Sequence, residues 1–434
     1  MKTSPKTVSL LIVAGLGVGL CTPNARALPA FSRKYQTSCV TCHEAFPRLN
    51  SVGESFRLNG FRFVDDESYI KDEPVSMGAE AYKRLFPKAI WPSDIPGLPP
   101  ISMRALMDYN IDAGGKADPS NSFDIPHEVE FLAGGAFGNN VSFYAELEYE
   151  PGEGEWGAGA WITLHRVLST LGGPENLLNV RVGNLGMDSF GLLTTRDYQR
   201  YTKEHYLFAN YRIPGSANRW RLRDDQPGAE IFGFGRHWLY TAGVVEGDGK
   251  NAEKDFYGQL SYKIGGRGFD GSSPTNEGEG QVTPTSSTGG ETYLMLSAFG
   301  YRGWGAVAGG QDAFWRAAFG ALFAWGDLRV DGLYLFGTND DPYGVGAGSV
   351  DSDAWMAQVS YFLFPWMVPN VRYESVSYDM GATTSDQGRV VVGVKMLPRA
   401  NVAVSLEGLI YTQNDFTAEV SDANLVSIRV DFAF

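Results

Sequence analysis

The chain has 434 residues, of which 53 are glycine and 13% are aromatic, and its formal net charge is −14. An acidic chain of this kind is a poor partner for nucleic acid and is compatible with attracting cations or basic redox proteins. Abundant glycine and aromatic residues, without a long apolar run beyond the N-terminus, are typical of a membrane β-barrel. A secreted soluble β-protein would share this composition.

The N-terminus is predicted to be an export signal. Lys2 and Lys6 give a basic start, Val8–Leu20 form an apolar core, and Ala27 ends a small-x-small cleavage site. The apolar core is shorter than the roughly 20 residues that a transmembrane helix needs. A lipoprotein interpretation based on Cys21 is disfavoured because a bulky leucine precedes it. We therefore expect Cys21 to be removed with the signal.

The motif Cys39-Val-Thr-Cys42-His43 predicts the covalent attachment of one haem c. The two thiols would add to the haem vinyl groups, and the adjacent His43 would be the proximal iron ligand. A structural zinc site would need further Cys or Cys/His ligands at zinc spacing, and the sequence has none. A redox dithiol of the thioredoxin kind would need an α/β context, which the neighbouring sequence does not suggest.

The C-terminal stretch NLVSIRVDFAF alternates apolar and polar residues with period two and ends on the aromatic Phe434. Such alternation predicts a strand with one apolar and one polar face, and it recurs in residues 143–149, 328–336 and 402–410. A soluble β-sandwich would also alternate, so the lengths of the connections between strands are needed to distinguish it from a membrane barrel. Long links at 339–352, 379–388 and 412–423 alternate with short ones, as in outer-membrane barrels.

These patterns predict an all-β transmembrane barrel of about 16 antiparallel strands, with the Gly/Ser/Thr-rich stretch 266–290 as an external loop. The predicted organisation is a signal peptide (1–27), a mono-haem cytochrome c segment (28–75), a proline-rich connector (76–100) and the outer-membrane barrel (101–434).

The predicted haem segment is too short to bury a haem within a core of its own. It is also basic, with Arg33, Lys34, Arg48, Arg57 and Arg62. Because a barrel of this size has a lumen wide enough for a plug, we expect the segment to lie in the barrel lumen or at its periplasmic mouth.

Residues 27–63, ALPAFSRKYQTSCVTCHEAFPRLNSVGESFRLNGFRF, resemble the fused outer-membrane cytochrome-porins, a family that includes ferrous-iron oxidases. The resemblance covers these residues by motif and the remainder by architecture alone. It implies an electron conduit in the outer membrane of a Gram-negative bacterium, in contact with its lipid. Single electrons would pass between an extracellular donor, Fe(II) or another, and periplasmic carriers. Cys39, Cys42 and His43 carry over to the family's haem motif.

Two functions stay open from the sequence. The first is this conduit, which would be a ferrous-iron-oxidising one-electron oxidoreductase if it is an enzyme. The second is a solute porin with an attached periplasmic haem module for redox chemistry or sensing.

The sixth ligand of the haem iron is predicted from strand parity. Met103, Met107 and His127 fall on the apolar faces of their strands and are expected to point outward, to lipid. Met77 lies in the connector, where strand parity does not apply. Since Met and His are the usual haem ligands, Met77 is the candidate distal ligand, with an ordinary linker methionine as the alternative.

Four glutamates are predicted to face the lumen on one hairpin: Glu128, Glu130, Glu146 and Glu148. A turn near Gly138 would place Glu130 beside Glu146 and Glu128 beside Glu148. Opposed like charges destabilise a sheet, so Arg104, Arg181 or the basic plug is expected to balance them. The alternative is a cation path or Fe²⁺ staging site, because carboxylate oxygens suit such ions.

Overall fold

Strands with alternating faces close into a barrel whose interior is occupied by other parts of the chain. Sixteen described strands are paired antiparallel in chain order, and the last, Leu425–Ala433, pairs with the first, Ile101–Asp112. This confirms the predicted fold class. A computed structural model of the chain describes residues 30–35, 37–63, 84–88, 100–113, 121–152, 154–186, 200–210, 212–247, 253–272, 291–344, 346, 348–381, 384–415 and 424–433.

The barrel strands are β3 Ile101–Asp112, β4 Asn121–Phe137, β5 Val141–Glu150, β6 Glu155–Leu164, β7 Asn179–Leu185, β8 Gln226–Phe234, β9 Trp238–Val245, β10 Asp255–Gly265, β11 Tyr293–Val307, β12 Gly310–Trp325, β13 Leu328–Asn339, β14 Val350–Tyr361, β15 Met367–Asp379, β16 Thr384–Arg399, β17 Val402–Asn414 and β18 Leu425–Ala433. Before the barrel come the helix Ala30–Tyr35, the short strands β1 His43–Ala45 and β2 Arg48–Leu49, and the helix Ser51–Leu58. Another short helix, Leu207–Asn210, lies between β7 and β8. Single 3₁₀ turns are Cys39–Thr41, Ser169–Leu171 and Glu175–Leu177.

The alternation of the sequence becomes an inner and an outer face. On β13, Arg329 and Asp331 are buried inside, whereas Tyr334 on the opposite face is 45% exposed. The same division holds on β18, where Asp431 is buried and Val426 is exposed. Because side chains alternate along a strand, each period-two pattern assigns its charged residues to the lumen.

Two ion pairs of opposite polarity join the first and last strands. Arg429 donates to both carboxylate oxygens of Asp108, with each distance 2.7 Å. Arg104 in turn donates to both oxygens of Asp431, at 2.9 and 2.8 Å. Bidentate Arg–carboxylate pairs are geometrically specific, and a slip of β18 along β3 would break both of them.

The links between strands correct part of the predicted alternation. The short turns 326–327, 362–366 and 400–401 and the end of β18 share one end of the barrel, hereafter the short-turn end. The link between β10 and β11 leaves from this same end, so the prediction that 266–290 lies with the other long loops is wrong. At the opposite end, a link of only two residues, 308–309, joins β11 to β12.

A further correction concerns the predicted long link 379–388. The strands on either side extend into it and leave only 380–383 between β15 and β16. Gly381 there has a φ of +78°, which glycine adopts without steric cost.

Residues 30–63, hereafter the N-terminal segment, contact the inner wall of the barrel at the short-turn end. Ala45 and Phe46 share an apolar cluster with the wall residues Phe362, Val368, Leu397, Ala403 and Ala433. Farther along the segment, Leu58 packs in a second cluster with Phe232, Phe234, Leu239 and Phe269. The wall therefore supplies the apolar surface that so short a segment cannot provide for itself.

A second stretch folds inward from the opposite end. The described residues of 200–225, hereafter the inward segment, lie between β7 and β8. Their aromatic and aliphatic side chains pack against wall residues of β7 and β9–β15 and form with them the largest buried cluster of the described chain. The inward segment contributes Tyr206, Leu207, Phe208, Ala209, Ile213, Trp220 and Leu222.

No helix among the described residues is long and apolar enough to cross a membrane. The predicted signal peptide (1–27), most of the connector (76–100) and the terminal Phe434 lie outside the described residues.

Candidate functional site

The Cys-x-x-Cys-His motif forms a tight turn that leads into the first short strand. Cys39 opens the 3₁₀ turn, the backbone N–H of Cys42 donates to the Cys39 carbonyl at 3.1 Å, and His43 begins β1. Both thiols are free, and Cys39 is buried. Burial is also the main cause that raises the pKa of Cys42 to about 12, with the neighbouring Cys39 adding to it. These thiols are therefore protonated at neutral pH.

The His43 imidazole is oriented by backbone hydrogen bonds, with Pro47 and Arg48 as partners. Its Nδ1 lies 2.8 Å from the carbonyl oxygen of Pro47, and because a carbonyl can only accept, Nδ1 carries the hydrogen. The second ring nitrogen, Nε2, is thereby left with its lone pair, which is the form that binds a metal. Burial is the main cause that lowers the pKa of His43 to about 4, so the ring is neutral.

Asn50 ties this turn to the helix that follows. Its side-chain nitrogen donates to the Thr41 carbonyl at 3.1 Å, while its side-chain oxygen accepts from the Gly53 backbone N–H at 3.0 Å. Asn50 is thus the N-cap of the helix Ser51–Leu58. The helix approaches the motif so closely that a Cβ on Gly53 would lie 2.2 Å from the Cys42 carbonyl oxygen.

An aromatic cluster joins the N-terminal segment to the barrel wall beside the motif. The segment contributes Phe31, Tyr35, Phe56, Phe61 and Phe63, and the wall contributes Tyr144 and Trp161. Phe61 stacks on Trp161 with ring centroids 5.8 Å apart and planes inclined by 20°. Sequence reasoning expected a borrowed wall without being able to name Trp161, whose contact depends on the barrel being closed.

The residues weighed as distal ligand, of which Met77 was the predicted one, have different outcomes. Met77 lies outside the described residues, so its role stays a prediction. Met103 and Met107 alternate along β3 with Arg104 and Asp108, whose side chains form ion pairs on the lumen face. The two methionines therefore lie on the outer face, as predicted.

The outward orientation predicted for His127 is wrong. A bulge in β4 sets Ile125, Pro126 and His127 against a single residue between Leu106 and Asp108 of β3. Bulges re-aim side chains, and proline cannot donate to the ladder. As a result, His127 Nδ1 lies 2.6 Å from Asp124 Oδ2, on the side of Asp108.

Asp108, Asp124 and His127 offer ligand atoms that lie within 4.8 Å of one another, a spacing compatible with a metal ion. However, both oxygens of Asp108 already accept from Arg429, and the ammonium of Lys203 is 3.6 Å from Oδ2. Because Asp108, the buried carboxylate of the three residues, already has two cationic neighbours, the binding of a metal cation beside it is disfavoured. We therefore assign no metal to this cluster.

The four lumen glutamates have a different register from the one predicted. The turn 138–140 is centred on Asn139, one residue beyond the predicted centre at Gly138, so Glu130 lies opposite Glu148 and Leu132 opposite Glu146. Arg104 donates to Glu130 at 2.8 Å, as the simpler interpretation expected. Tyr144 donates to Glu146 at 2.8 Å.

Arg181, which was expected to balance these glutamates, is committed elsewhere. It pairs with Glu230 at 2.8 Å, where both side chains are buried, and its guanidinium carbon lies 4.3 Å from the Trp161 ring centroid. A cation path along Glu128, Glu130, Glu146 and Glu148 stays a prediction.

The inward segment is the feature that sequence reasoning missed. Glu407 accepts from the backbone N–H groups of Lys203 and Glu204 at 2.8 and 3.0 Å, and Arg372 donates to Thr202 at 2.6 Å. Lumen-facing charges of the wall thus hold the segment by its backbone. The signal that was available is the large aromatic content of residues 201–222 between two poorly patterned strands, which resembles neither a strand nor a polar loop.

Comparisons with known proteins agree with the barrel. No protein-family model matches the sequence, and no curated protein matches it. An anion-selective porin from Comamonas acidovorans is similar in structure, with a TM-score of 0.53 and 12% identity over 77% of this chain and 99% of the porin. Salmonella typhi OmpF, solved in complex with daunomycin, gives a TM-score of 0.52 and 9% identity over 77% and 97%. At such identities the likeness shows a shared porin-like barrel fold.

The contact between Gly53 and the motif makes a prediction. Gly53→Ala should force the helix away from Cys42, at a cost of about 1–3 kcal/mol for overpacking, and should loosen the N-terminal segment. Trypsin cleavage within residues 30–63 of the folded barrel measures this and should become faster. Gly300→Ala is the matched control, because a Cβ there meets nothing within 4 Å. Equal cleavage of the two variants would contradict the close packing of Gly53 against Cys42.

Proposed function

We propose that the chain carries one haem c on Cys39, Cys42 and His43 and passes single electrons across an outer membrane, between an extracellular donor and periplasmic carriers. The observation that carries the proposal is the state of His43, whose Nδ1–H is held by the Pro47 carbonyl so that the lone pair is on Nε2, the form of imidazole that ligates a metal. Two free thiols precede it at the spacing that haem attachment requires. The donor set therefore fits a covalently bound haem.

When bound, the haem would supply a one-electron iron couple whose potential depends on its axial ligands and on burial. The residues of the chain do the rest. Cys39 and Cys42 would tether the porphyrin, Pro47 fixes the proximal ring, and the aromatic cluster around Phe61 and Trp161 excludes water. Met77 is proposed as the distal ligand, and Fe(II) as a donor would make the protein a ferrous-iron-oxidising oxidoreductase.

An outer-membrane location is supported by the outer face of the barrel. Large apolar side chains there are exposed, among them Phe319 at 59% and Leu260 at 57%. At the turn 362–366, the rings of Phe364 and Trp366 stack with centroids 5.4 Å apart. Aromatic residues at the rim of an apolar band are typical of outer-membrane barrels. The short-turn end would then face the periplasm.

A solute porin with an attached haem module is the second candidate. Its support is the fold, since one of the structures compared above, from Comamonas acidovorans, is an anion-selective porin. A porin needs a polar, water-filled lumen. In the described chain, however, the lumen holds the N-terminal segment at one end and the inward segment at the other, with Tyr206 and Phe314 fully buried in the apolar cluster of the inward segment. This packing favours a barrel that is closed to solutes.

Haem attachment is tested by Cys42→Ser. The protein from outer membranes should carry one haem that remains bound on a denaturing gel, and the substitution should remove most of it because one thioether is lost. Cys21→Ser, the same change in the predicted signal peptide, should leave the haem stain unaltered. An unstained wild-type protein would refute the proposal.

Closure of the lumen is tested by conductance in planar bilayers. The wild-type barrel should give no stepwise increases in conductance of the size expected for a solute channel. Replacing residues 201–222 by a short Gly/Ser linker should produce them, because the buried aromatic cluster of the inward segment is removed while β7 and β8 remain. Open-channel conductance of the wild type would instead favour the solute porin.

A further inference from the structure

Two buried ion pairs connect the hairpin that carries His43 to strand β13. On one side, Arg48 Nη2 lies 3.0 Å from Asp331 Oδ1. On the other, Arg329 Nε lies 3.3 Å from Glu44 Oε2. All four side chains are at least nine-tenths buried. Glu44 belongs to β1 and Arg48 to β2, so each strand of the hairpin is attached once.

The polarity of the two pairs specifies how the hairpin lies. Arg329 and Asp331 are two residues apart on β13 and so share its inner face. If the hairpin reversed its direction, Glu44 would meet Asp331 and Arg48 would meet Arg329. A shift by two residues along β13 would create one of these two like-charge contacts and break both pairs. Buried like charges are costly, so only one placement satisfies both pairs.

Tyr201 of the inward segment completes the arrangement. Its hydroxyl donates to Glu44 Oε2 at 2.7 Å, and its ring centroid lies 4.5 Å from the guanidinium carbon of Arg48. Tyr201 is fully buried. One side chain thus contacts both hairpin charges, and it belongs to the segment that enters the barrel from the end opposite the short-turn end.

The hairpin residues that make these contacts are the sequence neighbours of His43 and of Pro47, whose carbonyl orients the His43 ring. Glu44 directly follows His43, and Arg48 directly follows Pro47, whose carbonyl accepts the His43 Nδ1–H. We propose that Glu44, Arg48, Arg329, Asp331 and Tyr201 form a clamp that positions the proximal histidine. The role of the clamp in haem ligation rests on the proposed function. Its role in docking the hairpin does not.

Asp331→Asn tests the clamp, because it leaves Arg48 buried beside a neutral amide. Covalent haem should stay at the wild-type level, since Cys39 and Cys42 are untouched. The midpoint potential and the low-spin EPR signal should shift as the imidazole loses its fixed orientation. Trypsin cleavage after Arg48 should become about tenfold faster, because an unpaired buried charge raises the open population. Asp331→Glu, which keeps the charge, should restore all of these.

Asp108→Asn is the matched control, since Asp108 is an equally buried carboxylate paired with an arginine at the β3–β18 seam. It should leave potential, EPR signal and cleavage after Arg48 at wild-type values. A shift of the same size in this control would mean general loosening and would overturn the clamp, as would an Asp331→Asn protein indistinguishable from wild type.

Two further arms keep the test decisive. If Asp331→Asn does not fold, Tyr201→Phe removes only the hydroxyl that bonds Glu44 and should shift the same three readouts in the same direction by less. If the wild type carries no haem, the proposed function fails, and the cleavage arm alone decides whether the hairpin is clamped to β13.

Discussion

A closed sheet of sixteen strands encloses more space than its own inward side chains can fill, and the rest of this structure follows from how that space is filled. The N-terminal segment occupies the short-turn end and the inward segment enters from the other. Neither could form a core alone, because each is short and irregular. The barrel supplies the missing wall, and the two segments in turn pack within its interior. Tyr201, which contacts Glu44 and Arg48, is where they meet.

Charges inside the barrel act as attachment points. Arg389 donates to Glu374 at 3.0 Å, and Glu374 also accepts from the backbone N–H of Leu207 at 2.7 Å. Breaking one partner of such a buried pair costs about 3–5 kcal/mol because it leaves an uncompensated charge. Inner strand faces that appear porin-like in sequence, because charged residues occupy inward positions, are therefore used here to hold protein. The same residues would line a channel in an empty barrel.

The sequence predicts those parts of the fold that repeat. Period-two alternation places Arg329 and Asp331 inside correctly, and the cysteine spacing identifies the turn that presents His43. Local irregularities escape such reasoning. The bulge around Pro126 turns His127 inward, and a turn centred on Asn139 in place of Gly138 moves Glu130 from Glu146 to Glu148. The inward segment escapes because its side chains pack in three dimensions without a period, and the pairing of Arg48 with Asp331 spans 283 residues.

The central claim is that electrons, and not solutes, cross this barrel. It is tested most directly in sealed vesicles that contain the protein in one orientation, with a cytochrome trapped inside and a membrane-impermeant reductant such as Fe²⁺ outside. We expect the trapped cytochrome to be reduced while a co-trapped small sugar is retained, and we expect vesicles with the Cys42→Ser protein to show no reduction. Loss of the sugar at the rate of reduction, or equal reduction by the haem-free variant, would contradict the account.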